Sequence, residues 1–392
     1  MFEIAVLLLP VAAASGWYLA SKSHKKKANT EGLDHAVYFK GLNFLLNEQP
    51  DKAIDVFVDL LEVDDETIEV HLALGGLFRQ RGEVEKAIRL HQNLIARPEL
   101  SQELRVDVLN ELGMDYMRAG LLDRAENIFL ELEKKASHRA NAIRQLLSIF
   151  QQEKEWRKAV EYGKKLELLM HKTLPPLMSH MHCEIADEHK KNHQVTQSRG
   201  AYSQALKVDS KCIRANVGQA DLLIEAKDFK KALKYLLVIK KQDPRFISVF
   251  VDKILDCFDK LDQPKGKISF LAAMHAEVAS DVLAEKYVNE LKKQRGEVAA
   301  FAFVKDKLKA SPSLMYLALY SNLSAEKQAH AHENILMEAL AKIYALKFNF
   351  QCQHCGFNAK ELNWNCPSCK QWGTALPVQG KSVFSSAPEL SE

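Results

Sequence analysis

The 392-residue sequence predicts an all-α protein: about eight helix pairs stack into a superhelix, between an N-terminal transmembrane helix and a small C-terminal metal-binding knuckle. Three observations support this fold class. The chain has 16 glycines and 11 prolines, about 7% of its residues, where an average chain has roughly 12%. Strand-and-turn folds need these residues at their corners. A small residue recurs at intervals of 34 residues, and four of the seven cysteines lie in the last 41.

The formal charge of +3 is concentrated at the N-terminus. Residues 1–27 contain one glutamate and four lysines, so the rest of the chain is neutral. A balanced charge gives no reason to expect nucleic acid as a partner. Because 47% of the residues are hydrophobic, disorder of the whole chain is also excluded.

The N-terminal residues predict a membrane anchor. Residues 4–21 contain no ionisable side chain, and a helix of about 17–25 apolar residues spans a bilayer. Trp17 and Tyr18 lie at one end of this segment, and lysines follow at positions 22 and 25–27. By the positive-inside rule, the anchor (residues 1–21) leaves the N-terminus outside, and the basic linker (residues 22–33) lies in the cytoplasm. The alternative, a secretory signal peptide, has its positive charges before the apolar run.

Residues 34–348 carry a sequence repeat. A small residue, which we call the repeat residue, recurs before a bulky one, and five of the seven intervals are 34 residues. This spacing resembles the tetratricopeptide repeat, in which small residues let the two helices of each pair approach closely. The intervals of 38 and 39 residues predict longer turns near residues 98–101 and 175–176. The repeat residues are Ala53, Ala87, Ala125, Ala159, Ser198, Ala232, Gly266 and Ala300.

A groove lined by the first helix of each pair predicts protein binding, since repeat arrays use such surfaces to hold a segment of another protein. No sequence motif for phosphate binding, metalloprotease chemistry or serine hydrolysis is present. The repeat register alone places eight side chains on the groove, and the alternative is that each is an ordinary surface residue. They are Asp107, Asn110, Arg118, Arg144, Gln151, Arg214, Asp221 and Glu225.

Four histidines form a second candidate metal site. His180, His182, His189 and His193 are close in sequence, and His189 and His193 lie four residues apart. Two histidines at this spacing on a helix can bind a metal ion. In the repeat register, however, His182 and His189 fall on packing positions and His193 falls on a turn. We therefore interpret them as structural residues.

The C-terminal cysteines predict a metal site within residues 349–378. Cys352, Cys355, Cys366 and Cys369 form two CxxC pairs separated by ten residues, so that two tight turns can direct four thiolates at one ion. Four thiolates complete the coordination and suit one iron or zinc ion alike. Two disulfides are the alternative, which a cytoplasmic location disfavours. Because four cysteines complete the coordination, His354 is expected to face solvent. Phe357, Trp364 and Trp372 are expected to form an apolar layer around the metal site. Lys360 and Lys370 are too few cations for nucleic-acid binding.

The order of anchor, repeats and a CxxCGF…WNCPSC…W knuckle resembles the lipopolysaccharide assembly protein B (LapB) family of Gram-negative bacteria. The resemblance implies a non-enzymatic inner-membrane scaffold with a periplasmic N-terminus and a rubredoxin-like site, usually of iron. Its implied partners are the deacetylase LpxC, the membrane protease FtsH and other membrane proteins of the lipopolysaccharide pathway. A homodimer, a redox or electron-transfer role for the knuckle and a general docking or chaperone role stay open. Residues 379–392 are predicted to be a disordered tail.

Overall fold

The computed structural model describes residues 68–98, 100–310, 313–325 and 349–378, together with positions 40, 43, 44, 52 and 56. The predicted membrane anchor, the basic linker, the repeat residue Ala53 and the predicted tail lie outside these residues. Within the described part of the chain, no helix is both long enough and apolar enough to cross a bilayer.

Fifteen helices account for the described repeats, and they form seven antiparallel pairs followed by one further helix. The loops before Gln102 and before Pro175 lie where the sequence has its two longer repeat intervals, as predicted. The helices are α1 (Ile68–Arg81), α2 (Val84–Ile95), α3 (Gln102–Ala119), α4 (Leu122–Leu132), α5 (Arg139–Gln152), α6 (Trp156–Met170), α7 (Pro175–Lys191), α8 (Val195–Val208), α9 (Ile213–Glu225), α10 (Phe229–Gln242), α11 (Ile247–Lys260), α12 (Pro264–Glu277), α13 (Asp281–Arg295), α14 (Glu297–Ala310) and α15 (Leu314–Ala325).

The described residues divide into two compact units, one ending at Met170 and the other beginning at His171. The boundary coincides with the longest interval between repeat residues, so α1–α6 belong to the first unit and α7–α15 to the second. In both units most of the described repeat residues are buried inside the helix pairs, as a tetratricopeptide repeat requires, and Gly266 is half-buried. Those with no exposed surface are Ala87, Ala125, Ala159, Ser198, Ala232 and Ala300.

The turns inside the first six pairs share one backbone conformation. In each, the first helix ends in a residue with φ between +50° and +84°, and the next amide donates a hydrogen bond of 2.8–3.1 Å to a carbonyl five residues earlier. This is the Schellman closure, which satisfies carbonyl groups that the helix end leaves unpaired. The left-handed residues are Gly82, Gly120, Lys154, His193, Lys227 and Asp262. His193 therefore occupies a turn, as the repeat register predicts.

Cations at the start of the second helices cover aromatic rings at the end of the first. Four such pairs recur at a constant separation of eight residues, with the charged group 4.9–5.8 Å from the ring centroid. Contacts of this geometry are attractive because the face of an aromatic ring is electronegative. The pairs are Phe44 with Lys52, Phe78 with Lys86, Tyr116 with Arg124, and Phe150 with Lys158. Phe44 and Lys52 therefore share the spacing and the ring contact of the three later pairs.

A small antiparallel sheet follows the helices. Its strands are β1 (Phe350–Cys352), β2 (Asn358–Ala359) and β3 (Ala375–Pro377), in the order β2-β1-β3. Phe350 lies opposite Ala359 on one side and Pro377 on the other. The sheet brings the two cysteine pairs to one end of the domain, because β1 ends at the first cysteine.

Candidate functional site

The metal centre is built from two turns with the same backbone hydrogen bonds. In the first turn, the amide of Cys352 donates to the carbonyl of Phe357 over 2.8 Å, and the amide of Gly356 donates to the carbonyl of Cys352 over 2.9 Å. In the second turn, the equivalent bonds run from Cys366 to Gln371 and from Lys370 to Cys366, each over 2.9 Å. The residue after the second cysteine of each pair is left-handed, with φ of +76° at Gly356 and +59° at Lys370.

The four sulfurs have the separation that one metal ion requires. Cys352 Sγ lies 3.7 Å from Cys369 Sγ, Cys355 Sγ lies 3.7 Å from Cys366 Sγ, and all four lie within 4.8 Å of one another. A tetrahedral site with metal–sulfur bonds of about 2.3 Å needs sulfurs about 3.8 Å apart. The residues therefore fit one zinc or iron ion with no position left for a substrate, as expected for a structural site.

The thiols are electrostatically arranged to receive a cation. A hydrogen bond from the Thr374 hydroxyl, 3.2 Å away, lowers the pKa of Cys352 to about 6. A backbone hydrogen bond from Gln371 lowers the pKa of Cys369, but desolvation and the other three thiols outweigh it and raise that pKa to about 12. Four negative charges this close together repel one another, so full ionisation of the set needs a bound cation.

The metal-binding domain packs on the helices of the second unit through two tryptophans. The His180 ring of α7 lies between Trp364 and Trp372, with ring centroids 5.6 and 5.4 Å away. Trp364 also stacks on Phe246 at 5.9 Å and an interplanar angle of 9°. The backbone of Gly373 lies against His180, because a Cβ at this position would be 3.1 Å from His180 Nε2.

The expected apolar layer is therefore only partly present around the metal. Phe357 is 39% exposed, whereas Trp364 packs against the core of the second unit and Trp372 stacks on His180. The domain is too small to bury two tryptophans by itself, so they pack on the helices instead. The sequence carried a signal for this contact, two tryptophans in a short tail, but nothing in it identified His180 as the partner. His354 is exposed, as expected.

His180 is the buried centre of this contact. It is 6% exposed, and burial, followed by the positive charge of Arg214, lowers its pKa to about 3. The imidazole is therefore neutral near pH 7. None of the four histidines joins a group of metal-ligating side chains in the described residues, where the four cysteines form the one such group.

In the first unit, the predicted groove residues differ in how far they engage neighbouring side chains. Asp107 lies 3.1 Å from His138 Nε2, and Asn110 accepts a hydrogen bond of 2.7 Å from Asn141. Gln151 donates to the carbonyl of Leu147 over 3.2 Å. The remaining two, Arg118 and Arg144, have exposed side chains on α3 and α5.

In the second unit, the three predicted groove residues each form ion pairs with a neighbouring first helix. Arg214 is the most buried, with 12% of its side chain exposed. Burial lowers its pKa, but the adjacent carboxylates outweigh that effect and raise it. The ion pairs are Arg214 with Glu184 at 2.8 Å and Asp187 at 2.5 Å, Asp221 with Lys253 at 2.6 Å, and Glu225 with Lys190 at 2.9 Å.

Comparison with known proteins identifies the family of the metal-binding domain and of part of the repeat array. Residues 350–375 match the family described as the rubredoxin metal binding domain, and residues 183–245 match the tetratricopeptide repeat. Among solved structures, a tetratricopeptide-repeat protein from Cytophaga hutchinsonii is similar, with 13% identity and a TM-score of 0.39 over 70% of this chain and 95% of that one. The MamA protein is also similar, with 18% identity and a TM-score of 0.33 over 46% of this chain and 94% of that one.

Two curated relatives are similar along almost the whole chain. Lipopolysaccharide assembly protein B of Escherichia coli (strain K12) is 33% identical over 390 residues, which cover 97% of this chain and 99% of the relative. The protein of the same name from Haemophilus influenzae (strain ATCC 51907 / DSM 11121 / KW20 / Rd) is 31% identical over 397 residues, with the same coverage. The chain therefore belongs to the lipopolysaccharide assembly protein B family, as a non-enzymatic adaptor with tetratricopeptide repeats and a four-cysteine metal-binding domain.

Proposed function

We propose that the chain is an inner-membrane scaffold that regulates lipopolysaccharide biosynthesis by presenting the deacetylase LpxC to the membrane protease FtsH. The observation that carries this proposal is the similarity to lipopolysaccharide assembly protein B over 97% of the chain. The helix pairs give the proposal a physical basis, since stacked repeats offer an extended surface for another protein.

The proposed membrane anchor, residues 1–21, supplies the localisation that presentation needs. A scaffold that holds a soluble client beside a membrane protease raises their effective concentration without any chemistry of its own. The basic linker, residues 22–33, would connect the anchor to the repeats and meet the anionic lipid surface. The N-terminus would lie in the periplasm and the repeats in the cytoplasm.

The first unit offers two exposed cations for the client. Arg118 and Arg144 are exposed on α3 and α5, the first helices of adjacent pairs. Both keep their charge at any physiological pH and can bind a carboxylate through two parallel hydrogen bonds. We propose that these two arginines contact acidic side chains of the client, while the charges of the second unit mainly join one repeat to the next.

The metal ion would stabilise the C-terminal end of this scaffold. When bound, zinc or iron would be held by Cys352, Cys355, Cys366 and Cys369 and would neutralise their charge. The folded domain keeps the two tryptophans against His180, so metal binding and the packing of the second unit are coupled.

The proposal is tested by measuring the half-life of LpxC in cells whose own gene for this protein is deleted and replaced. We expect the wild-type chain to shorten the half-life only when FtsH is active. The double variant Arg118→Ala/Arg144→Ala should lengthen it several-fold. Lys164→Ala, which removes an exposed cation from α6, a second helix of a pair, is the matched control and should leave it unchanged. An LpxC half-life that does not depend on the presence of the chain would refute the proposal.

A zinc-substituted protein separates the scaffold from the redox alternative. Zinc supports the same four-thiolate geometry but has no redox chemistry. We expect the zinc-loaded and iron-loaded proteins to bind LpxC equally well in a pull-down with purified components. If only the iron form binds, and only in one oxidation state, the redox role replaces the structural one.

A further inference from the structure

Two cysteines that do not belong to the metal centre face each other inside the second unit. Cys183 lies on α7, and Cys212 is the residue that immediately precedes α9. Their sulfurs are 3.8 Å apart, and the two residues are 0% and 4% exposed. A third cysteine, Cys257 on α11, is equally buried at 1%, and its thiol is free.

We propose that Cys183 and Cys212 are a redox modification site, at which a low-molecular-weight disulfide oxidises the two thiols to a disulfide that joins α7 to α9. A disulfide bond is about 2.05 Å long. The two sulfurs must therefore approach each other by about 1.7 Å, a displacement that side-chain rotation of both residues can share. The proposal concerns a different site from the metal centre and goes beyond the scaffold function.

The environment of the two thiols indicates the order of the reaction. Cys212 lies at the N-terminus of α9, where a thiolate is stabilised, and it follows the exposed residues Ser210 and Lys211. The hydrogen bond from Cys183 is the largest of the effects that lower the pKa of Cys212, to about 7. The same hydrogen bond and burial raise the pKa of Cys183. Cys212 is therefore the better nucleophile near neutral pH.

Each step of the exchange balances. The Cys212 thiolate attacks one sulfur of the small disulfide, forms a mixed disulfide and releases one small thiolate. Cys183 then loses its proton, attacks the Cys212 sulfur and releases the second small thiolate. The protein thiols give up two electrons and two protons in total, and the small disulfide is reduced to two thiols.

The disulfide would change the second unit without altering its fold. It would close a loop from residue 183 to residue 212, which contains all of α8, and would tie two adjacent helix pairs together. A cross-link of this kind restricts the unfolded chain. His180, which holds the metal-binding domain, lies one helical turn from Cys183. Oxidation would thus stiffen the helix on which that domain packs.

The experiment uses the full chain in mild detergent, loaded with zinc, and equilibrated with oxidised glutathione. Remaining thiols are alkylated after unfolding, and peptide mapping by mass spectrometry identifies the linked residues. We expect a product that has lost two hydrogen atoms, links Cys183 to Cys212 and keeps its zinc. Its guanidinium midpoint should be higher than that of the reduced protein and should return when a reductant is added. Cys257→Ser is the matched control and should form the same link.

Single variants test the order of attack. Cys183→Ser should accumulate a glutathione adduct on Cys212, whereas Cys212→Ser should leave Cys183 largely unmodified, and circular dichroism checks that both variants are folded. An adduct on Cys183 but not on Cys212 would overturn the proposed order. The proposed site is refuted if wild-type protein keeps both thiols after equilibration, or if Cys212 forms the mixed disulfide but no link to Cys183. It is also refuted if oxidation instead links the cysteines of the metal centre and releases zinc.

Discussion

Gly218 shows how closely adjacent helices of the second unit approach, and substituting it tests this packing. Gly218 lies within α9, and a Cβ at this position would be 2.3 Å from Cζ of the Tyr202 ring on α8. The ring cannot move away easily, because Tyr202 is 2% exposed and its hydroxyl donates a hydrogen bond to Asp187. Contacts this short do not occur, so Gly218→Ala must shift a helix or the ring. Overpacking of this kind typically costs about 1–3 kcal/mol.

Gly200→Ala is the matched control. Gly200 lies within α8, and a Cβ there would meet nothing within 4 Å. Replacing an exposed helical glycine with alanine stabilises a protein by about 0.5–1 kcal/mol. Both variants have this gain in helix propensity, so the difference between their free energies of unfolding isolates the clash. We expect Gly218→Ala to be less stable than Gly200→Ala by about 1–3 kcal/mol.

The measurement is guanidinium unfolding of the zinc-loaded full chain in mild detergent, followed by far-UV circular dichroism. A double-mutant cycle adds Tyr202→Leu, which shortens the side chain opposite Gly218. The alanine should be tolerated better beside leucine than beside tyrosine, with a coupling of about 1 kcal/mol or more. Equal stability of Gly218→Ala and Gly200→Ala would show that α8 and α9 are not packed as closely as described.

Three further predictions concern the metal-binding domain and its contact with α7. The pKa of His180 is about 3 in the folded protein against 6.5 for an unperturbed histidine, so stability falls as the pH drops below 6.5 and only the unfolded chain gains a proton. Between pH 7 and 5 the free energy of unfolding should fall by about 2 kcal/mol for this reason. His180→Asn should make this loss smaller. His193→Asn, a substitution in an exposed turn, should leave the loss unchanged. Lys370→Gly should stabilise the zinc-loaded domain by about 1 kcal/mol in a thermal melt, because the Lys370 backbone is in the left-handed region, where glycine avoids the steric cost of a side chain. An unchanged stability would contradict this. Cys366→Ser/Cys369→Ser should abolish zinc binding and lower the melting temperature of the second unit, and an unchanged melting temperature would contradict the coupling.

The sequence was informative wherever function or packing depends on spacing. The repeat residues predicted the helix pairs because close approach of two helices requires a small side chain once per pair. The four cysteines predicted the metal centre because tetrahedral coordination fixes the two-residue separation within each pair. Such constraints act between residues close in sequence, so they appear in the sequence as regular intervals.

Long-range contacts could not be read from the sequence in the same way. The stacking of Trp364 and Trp372 on His180 joins residues more than a hundred positions apart, and no interval links them. The contact of Cys183 with Cys212 was equally hidden, because isolated cysteines outside any motif usually act as small apolar residues. Division of the repeats into two units followed the longest interval, but the interval alone predicted only a longer turn.

Repeat stacking and the proposed client binding would compete for the charged side chains of the first helices. Ion pairs between neighbouring first helices recur at separations of about one repeat, including Arg79 with Glu111 and Asp221 with Lys253. A half-buried ion pair strongly resists loss of one partner, because the other charge would be left desolvated and unpaired. A client that recruited Asp221 would therefore have to compensate for the pair that it broke. Arg118 and Arg144, whose side chains are already exposed, carry no such penalty. The proposed client should for this reason contact Arg118 and Arg144, and charge reversal at Asp221 should weaken repeat stability more than client affinity.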